Sequence, residues 1–137
     1  MTDPAWCSPL LVLEQMLSNP ATVVSYVGTE DGLAHFSAYR PAPMQTPATS
    51  SSLVQHLSQI DLYLDPKTFL PGKLSLSTHP DNNALVDLSV LIEFSNYQTV
   101  NGVTVPLHIQ RYLNGTLTFD IQIKSATFNT GLSQTAF

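Results

Sequence analysis

The sequence predicts a mainly β domain of α+β class: a curved antiparallel sheet, or incomplete β-barrel, of about seven strands with one N-terminal helix packed on it. Three observations carry that expectation. The stretch Ala84–Phe128 holds three runs in which apolar and polar residues alternate, separated by two Asn-Gly pairs. Such pairs between alternating runs are the strongest short-range hairpin signal. Further short β-prone runs lie upstream, spaced by Asp-Gly, Asp-Pro and Pro-Gly. Charged residues make up only 11% of the 137, which suits uncharged polar sheet faces better than a charge-laden helical bundle. A chain of this length has room for one core and one domain, residues 1–137.

The helix comes first. Ser8 can act as N-cap, Pro9 fits the first helical position, and Leu10, Leu13, Met16 and Leu17 recur at helical spacing before Asn19-Pro20 closes the segment. Its apolar stripe needs a partner, and the sheet is the obvious one. Ala21–Thr29 and Leu33–Arg40 then read as strands joined by Glu30-Asp31-Gly32, a hairpin. Pro41–Ser52, with three prolines and no periodicity, reads as a flexible Pro/Ser-rich loop. Leu53–Leu57 has room for a single helical turn. Ile60, Leu62 and Leu64 alternate with Asp61, Tyr63 and Asp65, a strand, and Asp65-Pro66-Lys67-Thr68 is a turn by composition. Lys73–Thr78 is a short strand with Leu74 and Leu76 facing inward, and His79–Asn83 turns the chain into the three-run stretch. After it, Asn129–Ser133 is turn-like, and Phe137 has the character to return to the core edge.

Register follows from the turns. The first long run sets Val86, Leu88, Val90, Ile92 and Phe94 on one face. The second does so with Val103, Val105, Leu107 and Ile109, and the third with Leu117, Phe119, Ile121 and Ile123. A two-residue turn at Asn101-Gly102 puts Phe94 opposite Ile109 and Ser95 opposite His108, apolar on apolar. At Asn114-Gly115 the same turn would set Ile109 opposite Asp120, so a three-residue loop, Leu113-Asn114-Gly115, with a glycine bulge is expected; Ile109 then meets Phe119 and Leu107 meets Ile121. Pro106, which lacks an N–H, predicts a local break in the middle strand.

Charge and motifs narrow the function classes. The net charge is −5, and the five basic residues are scattered, which leaves no stripe for a nucleic-acid backbone or an anionic membrane. No run reaches the about 18 apolar residues of a transmembrane segment. There is no signal peptide within the chain, so the sequence reads either as cytosolic or as a fragment whose leader lies upstream. The single Cys7 cannot form an internal disulfide and reads as a small packed residue. His35, His56, His79 and His108 fall in different elements without H-x-H or H-x-x-x-H spacing, so no metal and no cofactor is expected. His79-Pro80-Asp81 matches the J-domain tripeptide but lies between strands, where a turn accounts for it. Asp61 and Asp65 share a strand face open to solvent, and Asn114-Gly115-Thr116 matches a glycosylation sequon that the turn already explains. With no G-x-S-x-G elbow and no glycine-rich strand-to-helix loop, no catalytic residue is assigned, and the expectation is a non-enzyme.

What remains is the apolar face. A single sheet with one helix leaves part of that face uncovered, so it is core, an interface, or a binding surface for something apolar. The residues expected to line it are Val90, Ile92, Phe94, Leu107, Ile109, Phe119 and Ile121.

The pieces DLYLDPKTFLPGKLSLSTHPDNNALVDLSVLIEFSNY, VNGVTVPLHIQRYLNG and SATFNTGLSQTAF, with WCSPLLVLEQML and YVGTEDGLAHFS before them, resemble a group of uncharacterised exported bacterial proteins of the Acidobacteria type. More remotely, the order Asp-Pro-x-Thr turn, strand, turn, long strand, Asn-Gly-Val-x-Val-Pro is similar to the second half of LolA/LolB-like periplasmic lipoprotein carriers. That resemblance implies a curved, incomplete barrel with an apolar cavity, and a lipid or lipoprotein acyl chain as ligand. It also implies a location in the periplasm or cell envelope, and a chain that is the C-terminal part of a longer exported protein. The alternative is an envelope module that binds a protein partner through an edge strand or apolar patch.

Overall fold

The computed structural model describes residues 9–83 and 85–128; Cys7, the Ser8 cap, the turn at Asn129–Ser133 and Phe137 lie outside them. Helix α1 (Pro9–Ser18) is followed by strands β1 (Val23–Glu30) and β2 (Leu33–Tyr39), helix α2 (Ala48–Ser58), and strands β3 (Ile60–Leu64) and β4 (Pro71–Thr78). Strands β5 (Leu88–Val100), β6 (Val103–Leu113) and β7 (Thr116–Gln122) complete the order. The seven strands form one antiparallel sheet in sequence order, left open rather than closed into a barrel. No described helix is long and apolar enough to cross a membrane.

Hairpin chemistry sets the local geometry. Asp31-Gly32, Asn101-Gly102 and Asn114-Gly115 all carry positive φ at both positions, 51° and 80°, 50° and 82°, 47° and 76°. That is the two-residue turn whose twist matches its flanking strands. The first Asn-Gly gives the expected register, with Phe94 opposite Ile109 and Ser95 opposite His108. The second departs from expectation. Leu113 pairs with Thr116 across a two-residue turn, and the bulge sits inside β7, where Arg111 pairs with Phe119 and Tyr112 with Leu117. Thr118 is the extra residue, and its Oγ1 donates to the Arg111 carbonyl at 3.1 Å. Ile109 therefore meets Ile121, not Phe119. The bulge makes good the mismatch one step along the ladder and leaves Asn-Gly its preferred turn.

Other differences have local causes. The segment read as a loop through Ser52 is helical from Ala48, and α2 runs on to Ser58 in place of a single turn. Its N-cap is Pro47, which offers no side-chain hydrogen bond, so the usual start signal is missing from the sequence. Val86 precedes β5 and is exposed. Pro106 keeps register with Tyr97, and the ladder breaks beside it: Asn96, at φ 53°, and Leu107 are unpaired between Ser95–His108 and Tyr97–Pro106. That left-handed residue changes the phase of β5: Phe94 is buried, Ser95 and Asn96 are exposed, and Tyr97 packs back on the core.

The core joins Met16 of α1 to Ala38, Ile60, Leu74, Val90, Ile92 and Phe94. It spans β2 to β5, the middle of the sheet. Thr22 Oγ1 donates to the Met16 carbonyl at 2.6 Å and ties the end of α1 to the entry of β1. No residue of α2 is buried; Ser58 Oγ accepts from the Arg40 backbone N–H at 3.0 Å.

Candidate functional site

The apolar face is the site the sequence nominates. Strand pairing aligns Phe36, Leu62, Leu74, Ile92 and Arg111 in one cross-strand row, and Ala38, Ile60, Leu76, Val90 and Leu113 in the next. Of the seven expected lining residues, Val90, Ile92 and Phe94 lie in the core, and Leu107 is also buried. Ile109 is half-buried and packs against that core. Across β6–β7 it faces Ile121, and Phe119 stands one row further, 50% exposed. The structure thus brings the seven onto neighbouring strands but divides them into a sealed floor and an accessible end.

Both ends of the sheet remain greasy. On β1, Val24 and Tyr26 are at least half exposed, and the Tyr26 ring leans on Phe36 with centroids 5.4 Å apart. On α1, Met16 is buried while Leu17 is 56% exposed.

The opposite face is polar and carries histidine–carboxylate pairs. His35 Nε2 lies 3.0 Å from Asp61 Oδ1, and its ring stacks on Tyr63 at 4.3 Å. Lys73 Nζ donates to Asp31 Oδ2 at 2.7 Å. That hydrogen bond and charge hold the Asp31 carboxyl below the usual range and raise Lys73. Burial raises the Tyr63 phenol. In the β3–β4 turn, Asp65 Oδ1 accepts from the backbone N–H groups of Thr68 (2.7 Å) and Lys67 (2.9 Å), which lowers its pKa.

His108 is the most connected of these groups. Its Nδ1 is 3.2 Å from Ser95 Oγ, as register predicts, and its Nε2 is 2.9 Å from Asp120 Oδ1. Sequence reasoning missed Asp120, whose other oxygen accepts from Gln110 Nε2 at 3.0 Å. A Ser–His–Asp chain can relay a proton, but a hydrolase also needs a cleft and convergent oxyanion donors. These three span regular ladder on β5, β6 and β7. The two cavities near α2 are lined by other residues.

No known protein family, curated protein or solved structure matches the chain.

Proposed function

We propose that this chain is a non-enzymatic binding protein of the periplasm or cell envelope, taking a lipid or lipoprotein acyl chain against its apolar sheet face. The observation that supports this reading is the shortage of cover. One described helix packs on the core through Met16, while Phe119 stays half exposed beside Ile121 and the half-buried Ile109. The resemblance to LolA/LolB-like carriers points the same way. In this reading Ile109, Phe119 and Ile121 are the entry. Val90, Ile92, Phe94 and Leu107 are the floor, reached when α1 lifts. Binding is hydrophobic burial at about 25 cal/mol per Å² of apolar area, with little hydrogen-bond selectivity.

The test is uptake of a fluorescent fatty acid by the purified chain, with native mass spectrometry for lipid carried through purification. Wild type is expected to bind. Phe119→Asp, a surface change, is expected to weaken binding about tenfold, since half a phenyl contributes about 1–1.5 kcal/mol, with circular dichroism unchanged. A lipid-free mass together with no uptake sinks the proposal.

A second reading rests on the β1 side, where Val24, Tyr26 and Val27 are all at least half exposed on an edge strand. Such an edge suits a protein partner that adds a strand. Charging Tyr26 then abolishes partner binding and leaves fatty-acid uptake alone.

A further inference from the structure

The two histidines not yet placed meet at one carboxylate. His56 is in the last turn of α2, His79 directly follows β4, and Asp87 directly precedes β5. Asp87 Oδ1 lies 2.9 Å from His56 Nε2 and 3.2 Å from His79 Nδ1. The three ligand atoms lie within 4.8 Å of one another, and the imidazole rings tilt at 53° with centroids 5.3 Å apart. His79 Nδ1 also lies 3.3 Å from the Val86 carbonyl oxygen, a bond it makes only as an N–H donor and gives up when it binds a metal.

From these distances we infer that His56, His79 and Asp87 form a binding site for a divalent transition metal of the zinc class. Bonds of about 2.0–2.2 Å from nitrogen and carboxylate oxygen to a tetrahedral ion put neighbouring ligand atoms about 3.3 Å apart. The two separations to Asp87, 2.9 and 3.2 Å, need changes of only a few tenths of an ångström, and the third, between His56 Nε2 and His79 Nδ1, lies within 4.8 Å and closes toward that value when an ion binds. Two imidazoles and one carboxylate suit zinc, cobalt or nickel better than calcium or magnesium, which prefer all-oxygen shells.

Three protein ligands leave a coordination position open. A cavity of about 230 Å³ adjoins the site, lined by His56, Asp87, Gln59, Asp61, Ser75 and Ser77 among others. It has room and polar groups for a water or a small oxygen ligand in the fourth position. The site also has a structural consequence. α2 contributes no buried residue, and a metal shared with His79 and Asp87 fastens it to the β4–β5 connection. Nothing here depends on the apolar face.

Isothermal titration of the purified chain with zinc chloride is expected to show one ion per chain. Cobalt(II) is expected to give the visible absorption of a tetrahedral site, and saturating zinc to raise the melting temperature. His56→Ala and Asp87→Asn are each expected to weaken zinc binding at least tenfold. His56 is a partly exposed residue on a helix without buried side chains, and Asp→Asn conserves shape, so both variants keep the fold. His35→Ala and His108→Ala leave binding unchanged. No saturable uptake by wild type up to about 1 mM zinc, or uptake indifferent to both His56→Ala and Asp87→Asn, overturns the inference and leaves a plain His–Asp–His hydrogen-bond cluster.

Discussion

Tyr97 carries the clearest single-residue consequence. Its hydroxyl donates to the Pro71 carbonyl across to β4, and burial pushes its pKa to about 12. An unfolded tyrosine ionises near pH 10, so between about pH 10 and 12 the unfolded chain binds fewer protons than the folded one. The folded pKa is the higher one; the contribution is therefore intact below pH 10 and is lost as pH rises toward 12. Absorbance titration is expected to show one tyrosine ionising about two pH units above a free one. Tyr97→Phe is expected to flatten the alkaline fall in stability, at a cost of about 0.5–1.5 kcal/mol at neutral pH for the lost hydrogen bond. A Tyr97 that ionises near pH 10 contradicts the burial. Asp65 has the opposite sign: its lowered pKa means a contribution present above the unfolded value and lost as pH falls through the folded one. The signal for this turn was plain in Asp-Pro-Lys-Thr, because the acceptor and its donors are three residues apart at most.

At the scale of elements, the hairpins were readable and the positions of their bulges were not. Each Asx-Gly turn depends on a glycine at φ between 76° and 82°. A Cβ at Gly115 would meet no atom within 4 Å, so any penalty there is backbone strain alone. Gly115→Ala is expected to cost about 1 kcal/mol in urea unfolding; a change of a few tenths would mean that β6–β7 is joined by some other turn. Extra residues at Val27, Gly72 and Thr118 shift the β1–β2, β3–β4 and β6–β7 ladders. Bulges of this kind bend and twist a sheet, and nothing in the local alternation marks where they fall. α2 was legible only as a single turn at Leu53–Leu57, for a related reason: with a proline N-cap and no buried residue, its first half has neither the start signal nor the apolar stripe that a sequence can reveal.

For the whole molecule, position in the sheet separates core from surface among chemically similar side chains. Leu74 is 1% exposed and Phe119 is 50% exposed, although both sit at apolar positions of alternating runs. Leu74→Ala is expected to cost about 2–5 kcal/mol, and Phe119→Ala less than about 1 kcal/mol. Denaturant midpoints of the two variants check this. Equal costs would mean that Phe119 is covered. The seven residues expected to line the apolar face lie on the neighbouring strands β5, β6 and β7, since alternation assigns residues to a face. Alternation did not say which would be sealed, because Met16 of α1 packs into the cluster of β2–β5 while Phe119 on β7 stays 50% exposed.

The sequence by itself determined the mainly antiparallel architecture, the span of α1, the positions of three hairpin turns and the β5–β6 register. All of these rest on interactions between near neighbours, or on a period of two that any strand must obey. Only the tertiary structure decided where the bulges fall, which apolar residues remain exposed, and which polar groups meet. His56, His79 and Asp87 are separated by up to 31 residues and carry no spacing motif. Their convergence depends on how α2 and the β4–β5 connection come to rest at one rim of the sheet, a long-range placement that local patterning does not encode.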